Sequence, residues 1–219
     1  MNHTMQPDIY TIPTQSQLKQ AYTPFLKYLR RGMRARKAMP SEFTTARFTL
    51  KVFSEADAYA LSLLINNERL QETTLGFSYP YTEEMAREYI ASMHKAWQSQ
   101  LGFYYGVYLV LDKRESLVGG VSLVVNHAFS HAELGYWVAE SSWGKGVATE
   151  VAQAVTAHGL FSLGLNRVYA QHLSNNERSG HIMRKIGMRL EGIFRQHAAK
   201  NRNWLDVYQY AILRKDIDS

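Results

Sequence analysis

Three apolar segments, Phe103 to Leu111, Leu117 to Asn126 and Ala132 to Val138, run into a glycine pair, Gly144-Lys145-Gly146, and then into a helical pattern. No other feature constrains the fold as much. A turn as short as Asp112-Lys113-Arg114-Glu115 joins its two strands antiparallel. A strand that leads through a helix, Gly146 to about Phe161, into another strand, Arg167 to His172, crosses over and returns parallel. An antiparallel meander must therefore share one sheet with a parallel crossover.

The remaining segments extend that frame. Arg47 to Lys51 alternates polar and apolar residues, as a half-buried strand does. Ser54 opens a helix with Asp57 three residues on, a variant of the capping box. A second helix starts at Thr82 and runs to about Trp97. A helix from Glu177 to Ile186 precedes strands at Met188 to Phe194 and Trp204 to Leu213. The expected fold class is α+β (mixed α/β), with a central mixed sheet of about seven strands flanked by about four helices.

The first 41 residues differ from the rest. Asp8 is their one acidic residue, whereas Lys27, Arg30, Arg31, Arg34, Arg36 and Lys37 crowd together. Thr23-Pro24 reads as an N-cap followed by proline at the first helical position. The chain thus divides into a basic N-terminal helical extension, residues 1–41, and a globular domain, residues 42–219. Three roles fit the extension: a solvated helix packed on the domain, a weak RNA or ribosome contact, or an organelle-targeting segment.

Composition excludes several chemistries. There is no cysteine in the 219 residues, so disulfides, thiolate metal sites and a thioester on the enzyme are ruled out. A reducing compartment, the cytoplasm, is expected. No apolar run approaches the roughly 20 residues that cross a bilayer. His127 and His131 fall at a hairpin with nothing to complete a ligand set, so no metal is expected. The net charge of +6 favours an anionic ligand or surroundings.

Within Ser141 to Thr149, two glycines spaced by one residue let the backbone turn its N–H groups into a concave nest. The helix that follows adds its positive end, so a phosphate or pyrophosphate is favoured there. An ordinary turn gives the same local sequence.

The stretches Ala132 to Val138 and Trp143 to Glu150 resemble the GNAT acetyltransferase superfamily, and within it the RimJ/RimL branch of ribosomal-protein N-terminal acetyltransferases. The likeness continues through Asn166-Arg167-Val168, Asn176-x-x-Ser179, Leu190-Glu191-Gly192 and Trp204-x-Asp206-Val207-x-x-Tyr210. Two positions depart from the family pattern: Ser141 replaces a glutamine or arginine, and Met183 replaces a tyrosine.

The resemblance implies a GNAT-like sheet splayed between its fourth and fifth strands, an acetyltransferase domain at 42–219, and acetyl-coenzyme A as cofactor. Trp143, Gly144, Lys145, Gly146, Val147 and Ala148 would cradle its pyrophosphate. Trp137 and Val138 would offer backbone groups to its pantetheine arm, and Asn176 and Ser179 would face its thiol end. Ser179 would donate a hydrogen bond to the leaving thiolate, in place of the family's tyrosine acid; capping a helix is the plainer role for it. Glu191, expected near the centre of the sheet, would be the base, with Glu133 its rival beside the acetyl site. Asp206 would orient the amine, and Tyr79, with Phe77 and Tyr81, would line the acceptor cleft.

The activity implied is N-acetylation of a primary amine by direct transfer, on a monomer or homodimer. A protein α-amine, as on a ribosomal protein, suits a weak base: its pKa is about 8 against about 10.4 for lysine, a difference of roughly 3 kcal/mol in deprotonation at neutral pH. A small amine such as a polyamine or aminosugar is the alternative acceptor. A non-catalytic acyl-coenzyme A sensor is the alternative from a different class.

Overall fold

The computed structural model describes residues 13–32, 38–112 and 114–218. Helix α1 (Gln15–Gly32) starts earlier than Thr23-Pro24 suggests. Thr14 and Gln17 cap it reciprocally, Gln17 N donating to Thr14 Oγ1 at 3.3 Å and Thr14 N to Gln17 Oε1 at 2.7 Å. Leu18 and Tyr22, four residues apart and so on one face, are both buried. The Tyr22 hydroxyl donates to the Ile186 carbonyl at 2.8 Å, and Gln153 Nε2 donates to the Ala21 carbonyl at 3.0 Å. Burying two such side chains contributes roughly 1.5–3 kcal/mol each, and that decides where the helix runs. Leu18 and Tyr22 of the extension are thus packed on the domain. Arg34, Arg36 and Lys37, in the basic cluster, lie outside the described residues.

Eight strands form one mixed sheet in the order β1-β2-β3-β4-β5-β6-β8-β7. They are β1 (Glu42–Thr44), β2 (Phe48–Val52), β3 (Gly102–Leu111), β4 (Arg114–Asn126), β5 (His131–Val138), β6 (Arg167–Leu173), β7 (Arg189–Lys200) and β8 (Asn203–Leu213). The strand not foreseen is β1, three residues long. Its pairing with β2 runs antiparallel, and β2 to β5 form the antiparallel meander. Parallel pairing occurs between β5 and β6 and covers only His131↔Arg167 to Glu133↔Tyr169. Beyond that point the two strands splay.

Helices cover both faces. Helix α2 (Ala58–Ile65) and α4 (Glu83–Gln98) bury Leu61, Ile65, Ala86 and Ile90 with Phe53 and Trp137. Asp57 takes hydrogen bonds from the Ser54 amide and hydroxyl ahead of α2, and the Thr82 side chain caps α4. A short α3 (Glu68–Glu72), capped by Asn67, sits between them. On the opposite face α5 (Val147–Ala157) and α6 (Glu177–Lys185) pack with α1 against the larger core of β3, β4, β5 and β6. A final short α7 (Lys215–Asp218) follows β8.

One expected position is corrected. Glu191 does not lie near the sheet's centre. The last strand, β8, inserts between β6 and β7, so β7 becomes the edge.

Candidate acetyl-transfer site

The loop between β5 and α5 is shaped by two glycines in the left-handed region, Gly144 at φ 74° and Gly146 at φ 76°. A side chain on either would be strained, because only glycine enters that region at no steric cost. Arg47 holds the loop from behind: its Nη1 donates to the Lys145 carbonyl at 2.9 Å and its Nε to Glu150 at 2.7 Å. Glu150 also accepts from the Thr45 hydroxyl at 2.7 Å; burial opposes its charge, but these partners hold its carboxyl below the usual range. With that carbonyl clamped on the Arg47 side, the free amides at the start of α5 are left for an anion. Lys145 Nζ caps the Ser141 carbonyl at 2.8 Å, and the Arg178 guanidinium lies 5.7 Å from the Trp143 ring centroid. Both add positive charge to the rim.

The splay exposes backbone groups of β5. Ala139 N donates to the Val118 carbonyl of β4 at 2.9 Å. Because backbone polar groups alternate along a strand, the N–H and C=O of Val138 point away from β4, into the splay. Trp143 Nε1 takes up the Val138 carbonyl at 2.7 Å, and the Val138 N–H remains directed at the gap. Trp137 differs from the expectation. The same alternation turns its backbone toward Gly120 of β4, and its indole packs with Phe77, ring centroids 6.2 Å apart.

On the α6 side of the splay stands Ser179, with its Oγ 2.8 Å from the hydroxyl of Tyr136. The same phenol lies 3.1 Å from the Ser179 carbonyl, to which it can donate. Burial pushes the Tyr136 hydroxyl well above the ordinary phenol range. The sequence reading passed over Tyr136. Its one available cue was its place on the strand leading to the loop; the partner is 43 residues away. Asn176 caps α6, accepting from Ser179 N at 3.3 Å, while its Nδ2 donates to the Thr73 carbonyl at 3.2 Å. Its side chain is thus engaged in structure. Met183, where the family pattern has tyrosine, is buried in the core.

The opposite face of β4 and β5 floors a cleft of about 190 Å³. Gly120, Ser122 and Gly135 form its floor, and Phe77, Tyr89, Tyr104 and Trp137 are among its walls. A side chain at Gly120 would collide with Trp137, its Cβ falling 2.4 Å from the indole nitrogen. Tyr79 is not among the residues around the cleft and is 56% exposed. Its neighbour Phe77 takes the place expected of it. Glu133 lies on the cleft face of β5, one pleat before Gly135, and accepts from the Tyr169 hydroxyl at 3.2 Å. Burial, followed by the charge of Glu133, raises the Tyr104 hydroxyl, which marks that carboxylate as close to the cleft.

Two other expected residues stand apart. Glu191 on β7 is gripped by both terminal nitrogens of Arg167, and hydrogen bonding to Arg167 holds its carboxyl below the usual range. Asp206 on β8 accepts from Gln196 N at 2.7 Å and so fastens an irregularity in β7.

The sequence profile of the acetyltransferase (GNAT) domain matches residues 47–189. The chain belongs to the GNAT acetyltransferases. It is accordingly an acetyl-coenzyme A-dependent acetyltransferase, and the glycine cradle, the positive rim and the splay fit that co-substrate. An uncharacterised N-acetyltransferase of Bacillus subtilis, YoaA, is 27% identical over 78% of this chain and 95% of its own. The ribosomal protein uS5-alanine N-acetyltransferase of Escherichia coli is 24% identical over 79% of this chain and 91% of its own. Among solved structures, RimL in complex with coenzyme A superposes with a TM-score of 0.72, covering 82% of this chain and 98% of that one at 23% identity. At that identity the likeness shows the fold.

Proposed function

We propose that this GNAT enzyme acetylates the α-amine at the N-terminus of a protein or peptide, as on a ribosomal protein. One observation carries the reading. The splay that presents the Val138 amide and the Ser179 hydroxyl adjoins an aromatic cleft on the far face of β5, the face that carries the Glu133 carboxylate. The kinship with the uS5-alanine acetyltransferase supports a ribosomal acceptor.

Acetyl-coenzyme A, when bound, supplies the acetyl group as a thioester. Trp143 to Ala148 hold its pyrophosphate through backbone amides, with Lys145 on the rim. Glu133 draws the acceptor's ammonium to the cleft face of β5 and takes its proton, directly or through water. The Val138 N–H points to where negative charge gathers on the acetyl oxygen. The Ser179 hydroxyl donates a hydrogen bond to the departing thiolate, and Tyr136 holds that hydroxyl in line. Glu191 and Asp206 support the sheet that carries these groups. A weak single base suits an α-amine better than a lysine, by roughly 3 kcal/mol at neutral pH.

The test is a peptide with a free N-terminus and an internal lysine, incubated with acetyl-coenzyme A and sequenced by mass spectrometry. The acetyl group is expected on the α-amine. Acetyl on the lysine, or preference for spermidine or an aminosugar over every peptide, would overturn the reading.

A further inference from the structure

The cleft carries information about the acceptor beyond its amine. None of the thirteen residues around it is charged. Six of those residues are Phe53, Phe77, Tyr89, Met93, Tyr104 and Trp137, and Phe77 meets Tyr89 and Trp137 edge-on at 5.8 and 6.2 Å. A cavity of about 150 Å³ lined by apolar side chains is large enough to take benzene. At about 190 Å³ this one accommodates a group of that size. A second ammonium there would be buried without a carboxylate among the lining residues, and sugar hydroxyls would lose water without full replacement.

Among the described residues, one fully buried side-chain polar atom of the cleft lacks a partner. Thr74 Oγ1 is buried and unpaired, although Thr74 lines the cleft. A buried hydroxyl without a hydrogen bond costs about 1–3 kcal/mol, so its presence calls for a ligand group. The segment that carries it is fixed. Three consecutive carbonyls, of Glu72, Thr73 and Thr74, accept from Asn175 Nδ2, Asn176 Nδ2 and Lys200 Nζ at 3.0, 3.2 and 2.6 Å. Residues from the far side of the splay thus pin this strap, of which Thr74 lines the cleft.

We infer that the cleft selects an acceptor whose first residue has an uncharged apolar side chain, and that the Thr74 hydroxyl hydrogen-bonds the first peptide group beyond it. The aromatic walls take the side chain; Thr74 takes the backbone. This rests on the proposed peptide acceptor and adds to it a side-chain preference and a residue that recognises the peptide unit. A simple apolar amine shares the side-chain chemistry but has no peptide group for Thr74.

The experiment measures thiol release from acetyl-coenzyme A with short peptides differing only in residue one, and with phenethylamine as the simple amine. Wild type and Thr74→Val are compared, with acetyl-coenzyme A binding by calorimetry as the folding control. Leucine, methionine or phenylalanine first is expected to exceed aspartate, lysine or serine at least tenfold in kcat/KM. Thr74→Val is expected to raise KM for the peptides about tenfold and to leave KM for phenethylamine nearly unmoved. Equal or better transfer to charged or hydroxylated first residues, or no effect of Thr74→Val on the peptides, would overturn this inference while the peptide reading stands. Transfer to no peptide, with acetyl-coenzyme A still bound, would overturn both.

Discussion

The Tyr136 phenol stands 2.8 Å from the Ser179 hydroxyl and 3.1 Å from the Ser179 carbonyl, with one hydrogen to give. If that hydrogen goes to the carbonyl, the serine proton points back at the phenol oxygen. If it goes to Oγ, the serine proton is free to turn into the splay. The two states differ only by rotation of two O–H bonds. Burial keeps the phenol protonated at working pH.

Ser179→Ala and Tyr136→Phe should therefore act as one unit. Each should lower kcat about 10- to 100-fold, at or below the low end of the roughly 10²–10⁴-fold that a positioned proton donor contributes, and move KM for acetyl-coenzyme A far less. The double variant should be little worse than the worse single one, since residues in contact are not additive. Multiplied defects in the double variant would show that the two side chains act separately.

The two glutamates should separate cleanly. Glu133→Gln removes the carboxylate on the cleft face and should cut kcat/KM at least tenfold, with the acid limb of the pH–rate profile altered. Glu191→Gln leaves Arg167 without its partner on an edge strand and should show mainly in stability. Both side chains of that pair are partly exposed, 24% and 39%, so the loss should stay within about 1 kcal/mol. A larger kinetic loss in Glu191→Gln than in Glu133→Gln would reverse the assignment.

Gly146→Val should weaken the cofactor rather than the chemistry. A branched residue at φ 76° is strained by roughly 1–3 kcal/mol, and relief of that strain moves the amides that face the anion. KM for acetyl-coenzyme A is expected to rise about tenfold or more, with a smaller change in the acceptor's KM. An unchanged cofactor KM would remove the loop from the binding site.

Stability should fall in mild acid through a histidine outside the site. Burial lowers the pKa of His158 to about 4, where its ring packs 4.4 Å from that of Phe43. The unfolded chain takes up that proton below about pH 6.5 and the folded chain only near 4, so the contribution is present above 6.5 and lost as pH falls toward 4. At about 1.4 kcal/mol per unit the loss approaches roughly 3 kcal/mol. His172, lowered by burial as well, adds in the same direction. Denaturant titrations at pH 7 and 4.5 should show His158→Leu losing less over that interval than wild type.

Local signals carried most of the fold. Apolar runs set β3, β4 and β5, alternation set β2, Thr82 announced α4, and Gly144 and Gly146 marked the turn into α5. The errors arose where the deciding contact is remote. Thr23-Pro24 has the local form of a helix start, yet Leu18 and Tyr22 reach the core and draw the helix back to Gln15. Glu191 looks central until β8 is known to insert beside β6. Tyr136 and Ser179 carry no mutual signal in sequence, because strand splay and helix placement alone bring them together. The Arg167–Glu191 pair is likewise a product of strand order.

The most direct test of the central claim is thiol release from acetyl-coenzyme A in the presence of a peptide with a free N-terminus, wild type beside Ser179→Ala. Release that depends on the peptide, leaves the acetyl group on its α-amine and falls at least about tenfold in the variant is the predicted result. Acetyl-coenzyme A bound by both proteins, with no release for any peptide, would contradict it.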